Sequence, residues 1–558
     1  MMPKRTFRIV LGLVAICLIS LTFLMIFNRR GAPVSVRILA VNDFHGQLQP
    51  LANRHQAGGA ARLVAALKSA EKGMEDRTVI ALAGDTVGAS PADSALLHDE
   101  PAIMVFNALA NPACADKRDP RCNMVSTLGN HEFDKGVPEL LRQLHGGNAP
   151  DGPFLEKPWK GAGFPYVCAN VVDTATKKPL VPPYVIKKIA GVPVAFIGAV
   201  VKTTPRSTMP GNVSGLTFLD EADAINHVVP EVQAKGVHAI VAVIHQGGNQ
   251  EEYAGQTDPD KPTVAGSIVS IVHRLDPDVD IVISGHTHRF TNAVVKNAGG
   301  KDVLVTQAFA KSSAYGVIDL VLDPAADDIV RKSAAIMPVE ATLTPDPGVA
   351  DLVARADAAV APKVSAVVGQ ATAAITREQN QAGESALGDL IADAERQAGG
   401  TDFAFMNPGG IRTDLVQGPI TVGTLFAVQP FGNHLVTMEL TGAQLYALLA
   451  QQWGSVVHPR MLQISGLTYV WTSHGPNEVG SVDAITMADG KPVDKAARYS
   501  VTVNAFLAVG GDGFTVFTEG TNKSQRPETE VDALSRFIAA RQSVAPSRLD
   551  RITRRAAR

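Results

Sequence analysis

Six short apolar runs, rich in β-branched residues, constrain the fold of the first half of the chain more than any other feature. Each has the length of a β-strand, and most end in a polar residue beside glycine or histidine. The runs are SVRILAVND, RTVIALAGD, NMVSTLGN, VAFIGAVV, HAIVAVIHQ and VDIVISGHTH. Near-continuous apolar strands are buried on both faces, so helices or a second sheet must cover them. We therefore predict a layered α/β domain over residues 35–325.

The chain has 558 residues, which is too many for one ordinary domain. After residue 325 the alternation of apolar runs with polar segments ends. The breakers DPAADD and TPDPG precede an Ala-rich helical stretch, DLVARADAAVAPKV, so we predict a linker with a spacer helix over residues 326–365. A second, smaller α/β domain is expected over residues 366–548, with helices near SALGDLIADAERQ and TGAQLYALLAQQW. Residues 549–558 are expected to form a basic tail.

The N-terminus has the features of an export segment. Three basic residues precede a largely apolar run over residues 9–27, which is long enough to span a bilayer. We predict a signal peptide or N-terminal membrane anchor over residues 1–34, and therefore a periplasmic or cell-surface protein that contacts the membrane if this segment is not cleaved.

The cysteines fit an exported protein. Cys114 and Cys122 bracket the turn-rich loop ADKRDPR and are candidates for a local disulfide. Cys168 lies in the apolar stretch YVCANVV and is expected to be a buried free thiol.

The charge of the chain argues against a nucleic acid polymer as partner. The formal net charge is −3, and no stripe or tract rich in Lys and Arg stands out. Small phosphorylated ligands remain compatible with this composition, because a local metal site needs no global positive charge.

Five polar clusters fall at the ends of predicted strands. They are Asn42-Asp43-Phe44-His45-Gly46, Gly84-Asp85, Gly129-Asn130-His131-Glu132, His245 and Gly285-His286-Thr287-His288. In α/β domains ligands gather at the carboxyl ends of strands, so side chains distant in sequence can converge there. Oxygen and nitrogen donors of this kind suit Zn, Mn, Fe or Co rather than Ca, and one carboxylate can bridge two ions about 3.5–4 Å apart. We predict a site for two divalent metal ions.

Each of these motifs alone is a weak signal, since a lone histidine at a strand end is more often structural. Their order, D-x-H, G-D, G-N-H-E, H and G-H-x-H, resembles the calcineurin-like metallophosphoesterases, and more closely their 5′-nucleotidase branch. The resemblance implies a four-layer αββα sandwich. It also implies one metal held by Asp43, His45, Asp85 and His288, and a second held by Asp85, Asn130, His245 and His286.

The same resemblance implies a catalytic role for His131, which is not a metal ligand in the family. There the histidine faces the phosphoryl oxygen or the leaving group, and an acid three residues on, here Asp134, orients it.

The resemblance extends over nearly the whole second half and implies a substrate pocket there. The matching positions are Asn407, Arg412, Phe431, Asn433, Phe506 and Asp512. In the family two aromatic rings sandwich the base, the aspartate holds the ribose hydroxyls, and the asparagine and arginine side chains contact base or phosphate.

The sequence departs from the family pattern at one place in this half. Where many nucleotidases carry two closely spaced arginines, this chain reads QAGESALG around Glu384, with Arg377 just upstream.

These features predict an extracytoplasmic dinuclear-metal hydrolase that cleaves phosphate from nucleotides. One alternative on the same frame is a 2′,3′-cyclic-nucleotide phosphodiesterase/3′-nucleotidase, which the missing arginine pair favours. Another is a thiosulfohydrolase-type enzyme, against which Phe431 and Phe506 argue because it needs no base-stacking pair. A non-catalytic surface protein would be expected to lose ligands, and none is lost.

Overall fold

A computed structural model describes residues 32–51, 58–261, 263–454, 459–475 and 478–556. The predicted signal or anchor segment, residues 1–34, lies outside these ranges except for its last three residues. Among the helices in the described ranges, none combines the length and the apolar character needed to cross a bilayer.

Two six-stranded sheets make up the first half of the chain, and all six apolar runs lie in them as strands. The first sheet runs, in spatial order, through Asp328–Pro338, Ala314–Asp323, Val34–Val41, Thr78–Leu82, Met124–Thr127 and Tyr166–Val167. The second sheet runs through Phe290–Lys296, Asp302–Ala308, Val279–Ser284, Ile240–His245, Val192–Val200 and Tyr184–Ile189.

The two sheets face each other across an apolar core, and helices cover their outer faces. Side chains alternate along a strand, so Val36 and Ile38 fill the space between the sheets while Leu39 and Val41 pack against outer helices. The helices on the first sheet are Ala60–Glu71, Glu100–Asn107, Val137–His145 and Pro347–Val364, and those on the second are Glu221–Gln233 and Ser267–Val272. The predicted four-layer αββα sandwich is confirmed.

Shorter elements connect these layers. They are the helices Ala92–Ala95 and Thr204–Ser207, the 3₁₀ turns Glu75–Arg77, Pro112–Ala115, His131–Phe133 and Pro210–Val213, and the paired strands Val171–Asp173 and Leu216–Phe218.

The stretch predicted as a linker, residues 326–365, is largely part of the sandwich. Asp328–Pro338 pairs antiparallel with Ala314–Asp323 as the outermost strand of the first sheet, so DPAADD contains the turn of a hairpin. The prediction that a linker begins at residue 326 is therefore wrong, because a Pro/Asp-rich hairpin turn carries the same sequence signal as a domain end. The spacer helix exists as Pro347–Val364, and its Leu352 and Val360 pack into the core of the first half.

The second half is a smaller α/β region built on three sheets. The five-stranded sheet contains Gln463–Ser465, Phe403–Met406, Arg498–Asn504, His434–Thr441 and Thr521–Thr529. The two three-stranded sheets contain Gly418–Thr421, Val367–Ala371 and Ser543–Val544, and Ser481–Met487, Leu467–Ser473 and Ile552–Ala556. The helices are Ala386–Gly399, Val422–Val428, Gly442–Ala450, Ala505–Ala508 and Glu530–Arg541, with 3₁₀ turns Pro408–Gly410, Gln451–Trp453, Gly511–Gly513 and Thr515–Glu519.

Within the predicted basic tail, residues 549–558, the described residues 549–556 pack against this region. Ile552–Ala556 pairs in parallel with Leu467–Ser473, and the guanidinium of Arg551 lies 2.9 Å from Asp393. The basic composition was predicted correctly, but Ile552–Ala556 is the edge strand of a sheet, and a short edge strand rich in arginine has the composition of a tail.

Candidate active site

The seven predicted metal ligands lie at the carboxyl ends of neighbouring parallel strands. Asp43 and His45 follow Val34–Val41, Asp85 follows Thr78–Leu82, Asn130 follows Met124–Thr127, His245 ends Ile240–His245, and His286 and His288 follow Val279–Ser284. The first three strands are parallel neighbours in one sheet, and the last two are parallel neighbours in the other. The ends of both sheets therefore bring these side chains to one edge of the sandwich.

One group of donors is formed by Asp43, His45 and His288, with Asp85 beside it. Nε2 of His288 lies 3.0 Å from Nε2 of His45 and 3.3 Å from Oδ1 of Asp43. Oδ2 of Asp85 lies 3.6 Å from Nε2 of His45. These distances are short enough for the side chains to share one ion.

A second group joins Asp85, Asn130, His245 and His286. Oδ2 of Asp85 lies 3.0 Å from Nε2 of His245. Oδ1 of Asn130 lies 2.9 Å from Nδ1 of His286 and 3.2 Å from Nε2 of His245. The same carboxylate oxygen of Asp85 thus faces both groups, which is the arrangement expected of a bridging ligand.

The hydrogen bonds of two imidazoles show that this donor set fits divalent cations. Nδ1 of His45 lies 2.8 Å from the Gly88 carbonyl, and Nδ1 of His245 lies 2.7 Å from the Ala83 carbonyl. Because a carbonyl only accepts, Nδ1 carries a proton in each ring, and in the neutral imidazole Nε2 is then the atom that can bind a metal ion. A cation between these Nε2 atoms and the Asp85 carboxylate would bind to both at once.

The backbone of the site is held in an unusual conformation. Five of the seven residues have positive φ angles, namely Asp43 (50°), His45 (50°), Asp85 (49°), His286 (73°) and His288 (57°). Such conformations cost about 1–3 kcal/mol each and persist where the surrounding structure fixes them, typically at functional sites.

Glu132 helps to hold the backbone of the site in this conformation, although no role was predicted for it from the sequence. Its buried carboxylate accepts hydrogen bonds from the backbone N–H groups of Asp85 (3.0 Å), Thr86 (2.8 Å) and Gly129 (2.5 Å). It thereby ties the loop of Asp85 to the loop of Asn130. Gly129 is required for this approach, since a Cβ there would lie 2.2 Å from Oδ1 of Asp85. The sequence signal that could have identified Glu132 is its place in the G-N-H-E motif.

His131 lies beside the two groups of donors and pairs with Asp134, as the resemblance implied. Nδ1 of His131 lies 2.8 Å from Oδ2 of Asp134, and its backbone N–H donates to Oδ1 of Asp85 at 2.9 Å. Burial opposes protonation of the ring, but the carboxylates of Asp134 and Asp85 raise the pKa of His131. The protonated imidazole is suited to donate a charge-assisted hydrogen bond to a phosphoryl oxygen or a leaving group.

A cavity of about 400 Å³ is lined by Asp85, Asn130 and His131 together with residues of the second half. This volume is in the range of small-molecule sites. All six predicted substrate residues line it, beside His131, Asp134, His286 and His288; they are Asn407, Arg412, Phe431, Asn433, Phe506 and Asp512.

Contacts inside the cavity connect the two halves of the chain. The ring of Phe431 stacks on the imidazole of His131, with centroids 5.8 Å apart. The guanidinium carbon of Arg412 lies 5.9 Å from the centre of the Phe431 ring. Lys311 ties the loops together, because its backbone N–H donates to the Asp43 carbonyl (2.8 Å) and its Nζ to the Arg412 carbonyl (3.1 Å).

Asp512 is held by two partners, of which the sequence analysis identified one. Asn407 donates its Nδ2 to Oδ2 of Asp512 at 2.8 Å. Arg460, which also lines the cavity, donates Nη1 to the Asp512 carbonyl at 3.1 Å, and its Nε lies 3.5 Å from Oδ1. A lone arginine in a loop offers no motif, so sequence reasoning missed Arg460.

Arg377 does not replace the missing arginine pair in the cavity. Its Nη1 donates to the Ile411 carbonyl at 3.0 Å, so it supports the loop of Arg412 from behind. Among the described residues, the arginines that line the cavity are Arg412 and Arg460.

The three cysteines in the described ranges do not line this cavity. Cys114 and Cys122 form a disulfide, and Cys168 is a buried free thiol.

Two family descriptions match the sequence. Residues 36–290 match the calcineurin-like phosphoesterases, and residues 367–519 match the 5′-nucleotidase C-terminal domain. The chain is 36% identical to Endonuclease YhcR of Bacillus subtilis over 86% of its length, and 34% identical to the Cell wall protein Lmo0130 of Listeria monocytogenes over 87%. It spans 38% and 64% of these two relatives.

A solved structure is also similar over nearly the whole chain. The 5′-nucleotidase precursor of Thermus thermophilus superposes with a TM-score of 0.76 at 27% identity, covering 93% of this chain and 99% of that one.

Proposed function

This chain belongs to the 5′-nucleotidase family, with a calcineurin-like phosphoesterase domain followed by a 5′-nucleotidase C-terminal domain, and on that premise we propose that it is a metal-dependent hydrolase that removes phosphate from nucleotides. One observation carries the proposal. The cavity that contains Asp85, His131 and His286 also contains Phe431 and Phe506 from the second half. A phosphate near the histidines and a base near the phenylalanines would occupy one continuous space.

Two groups of side chains would hold the two ions. The first comprises Asp43, His45, Asp85 and His288; the second comprises Asp85, Asn130, His245 and His286. Divalent ions there lower the pKa of a water nucleophile and neutralise charge on the phosphoryl oxygens.

The remaining residues bind and orient the substrate. His131, oriented by Asp134, donates a hydrogen bond to the phosphoryl oxygen or to the leaving oxygen. Arg412 places a fixed positive charge at the same end of the cavity. Phe431 and Phe506 offer ring faces for a base, and the Asp512 carboxylate can accept from the ribose hydroxyls.

An extracytoplasmic location is part of this proposal. The basic and apolar N-terminal sequence is typical of an exported protein. The Cys114–Cys122 disulfide supports the same location, because disulfides persist in oxidising compartments.

A cyclic or diester phosphate is the second candidate substrate, and Arg377 favours it. With Arg377 bound to the Ile411 carbonyl, fewer cationic side chains surround the phosphoryl position than the family pattern provides. A diester carries one negative charge fewer than a terminal phosphate and needs less positive charge around it.

A substrate panel with added Zn, Mn or Co tests both candidates. The panel contains AMP, 3′-AMP, 2′,3′-cyclic AMP and thiosulfate esters, and Asp85→Ala serves as the inactive control. We expect metal-dependent phosphate release from AMP. Turnover of the cyclic ester alone would favour the second candidate, and no metal-dependent release from any phosphoester would refute the proposal.

A further inference from the structure

A buried carboxylate lies directly behind Asn433, one of the residues that line the cavity. Glu530, the first residue of helix Glu530–Arg541, is fully buried. Its Oε1 accepts a hydrogen bond from Nδ2 of Asn433 at 3.2 Å, and its backbone N–H donates to the Asn433 carbonyl at 2.9 Å. These two hydrogen bonds fix both the backbone and the side chain of Asn433.

The hydrogen bond to Glu530 determines which end of the Asn433 amide is available to a ligand. Nδ2 of Asn433 is the donor to Oε1, so the amide turns its NH₂ group toward Glu530. The amide oxygen, Oδ1, is then the atom left to face the cavity that Asn433 lines. That oxygen can only accept a hydrogen bond, so it is satisfied by an N–H or O–H donor on the ligand.

A second buried acid, Glu395, lies beside Glu530. Glu395 is fully buried beside Glu530, and within the described part of the chain its carboxyl oxygens have no hydrogen-bond partner. Burial raises the pKa of Glu530 to about 8, and burial together with the neighbouring Glu530 raises that of Glu395 well above its usual range. A Glu530 protonated on Oε2 keeps Oε1 as a carbonyl oxygen that accepts from Asn433.

We propose that Glu530 is a positioning residue for base recognition. It holds the Asn433 amide with Oδ1 toward the ligand, and the site therefore selects nucleotides whose base carries an N–H donor, such as the amino group of adenine. This inference rests on the proposed function for its substrate class. A base without that donor would leave Oδ1 of Asn433 unpaired, and the loss of one such hydrogen bond corresponds to a decrease in affinity of about five- to tenfold.

The test measures binding of nucleosides, so that it does not depend on catalysis. Adenosine is compared with purine riboside, which lacks the amino group, by isothermal titration with metal and inorganic phosphate present. We expect the wild-type chain to bind adenosine about five- to tenfold more tightly. Equal affinities, or no binding of adenosine, would overturn the inference.

Three variants test whether Glu530 positions the Asn433 amide or only stabilises the fold. Glu530→Leu removes the acceptor and is expected to abolish the preference for adenosine. Glu530→Gln keeps an acceptor oxygen and should retain it. Glu395→Leu, the matched control, replaces the neighbouring acid without touching Asn433 and should also retain it. Hydrolysis of ribose 5-phosphate, which has no base, should be unchanged in the Glu395→Leu control.

Two results would contradict the inference. The first is a folded Glu530→Leu chain whose preference for adenosine is intact. The second is a crystal structure of the adenosine complex in which Asn433 does not contact the amino group of the base. Selective binding of adenosine by a chain that does not hydrolyse AMP would instead refute the proposed function and leave base recognition standing.

Discussion

The imidazole of His131 and the ring of Phe431 stack with centroids 5.8 Å apart and an angle of 20° between their planes, although they come from different halves of the chain. In the proposed function His131 donates a hydrogen bond to the phosphoryl group, and Phe431 stacks on the base. The stacked pair therefore places these two roles side by side. The two halves of the chain are therefore in contact inside the cavity.

Replacement of Phe431 by alanine should weaken binding of nucleotides but not of base-free esters. A base that stacks on an aromatic ring gains about 1–3 kcal/mol, so we expect KM for AMP to rise about tenfold or more. Steady-state kinetics on AMP and on ribose 5-phosphate, which has no aromatic ring, would measure the difference. Phe431→Tyr keeps the ring face and is the control; equal losses on both substrates would argue that Phe431 is only structural.

Replacement of His131 by alanine should lower kcat without loss of metal. The residue is not among the predicted ligands, and a positioned proton donor contributes about 10²–10⁴-fold to rate. Asp134→Asn, which removes the negative partner of the imidazole, should give a smaller loss. Kinetics and metal analysis on the same samples check this. Unchanged activity on AMP in His131→Ala would remove the residue from the mechanism.

Loss of the Cys114–Cys122 disulfide should destabilise the folded chain. The two cysteines are eight residues apart, and closing a loop of this length contributes about 2–3 kcal/mol in the chain-entropy treatment. We expect a lower Tm for the Cys114→Ser/Cys122→Ser double variant, by calorimetry. Cys168→Ser is the control for loss of a cysteine outside the disulfide; an unchanged Tm in the double variant would contradict the expectation.

Lys187 should make the stability of the chain depend on pH. Its side chain is fully buried, and among the described residues its ammonium has no hydrogen-bond partner. Burial lowers the pKa of Lys187 from 10.5 to about 7. Between these two values the unfolded chain binds a proton that the folded chain does not, so the free energy of unfolding rises with pH across this window.

The substitution Lys187→Met should remove that dependence and stabilise the chain at pH 7 by a few kcal/mol, on the order implied by a shift of this size. Urea unfolding at pH 7 and pH 9.5 would show the wild type gaining stability relative to the variant. Parallel changes in the two proteins would show that Lys187 does not titrate in this range.

The strands and the metal-ligand positions of the first half could be predicted because they carry local signals. A run such as HAIVAVIHQ has the length, the β-branched content and the polar end of a buried strand, and it forms Ile240–His245. Residues whose role depends on contacts between distant parts of the chain carry no local sequence signal. Arg460 and Glu530 acquire their partners only when loops far apart in sequence meet. The hairpin at Asp328–Pro338 was missed because its turn and a linker have the same composition.

The account depends on two ions held by side chains from both sheets, with Asp85 between them. Crystals grown with Mn²⁺ and measured for anomalous scattering test this most directly. We predict two peaks about 3.5–4 Å apart, one beside Asp43, His45 and His288 and the other beside Asn130, His245 and His286, both within bonding distance of Asp85. Peaks elsewhere on the chain, or none at these residues, would contradict it.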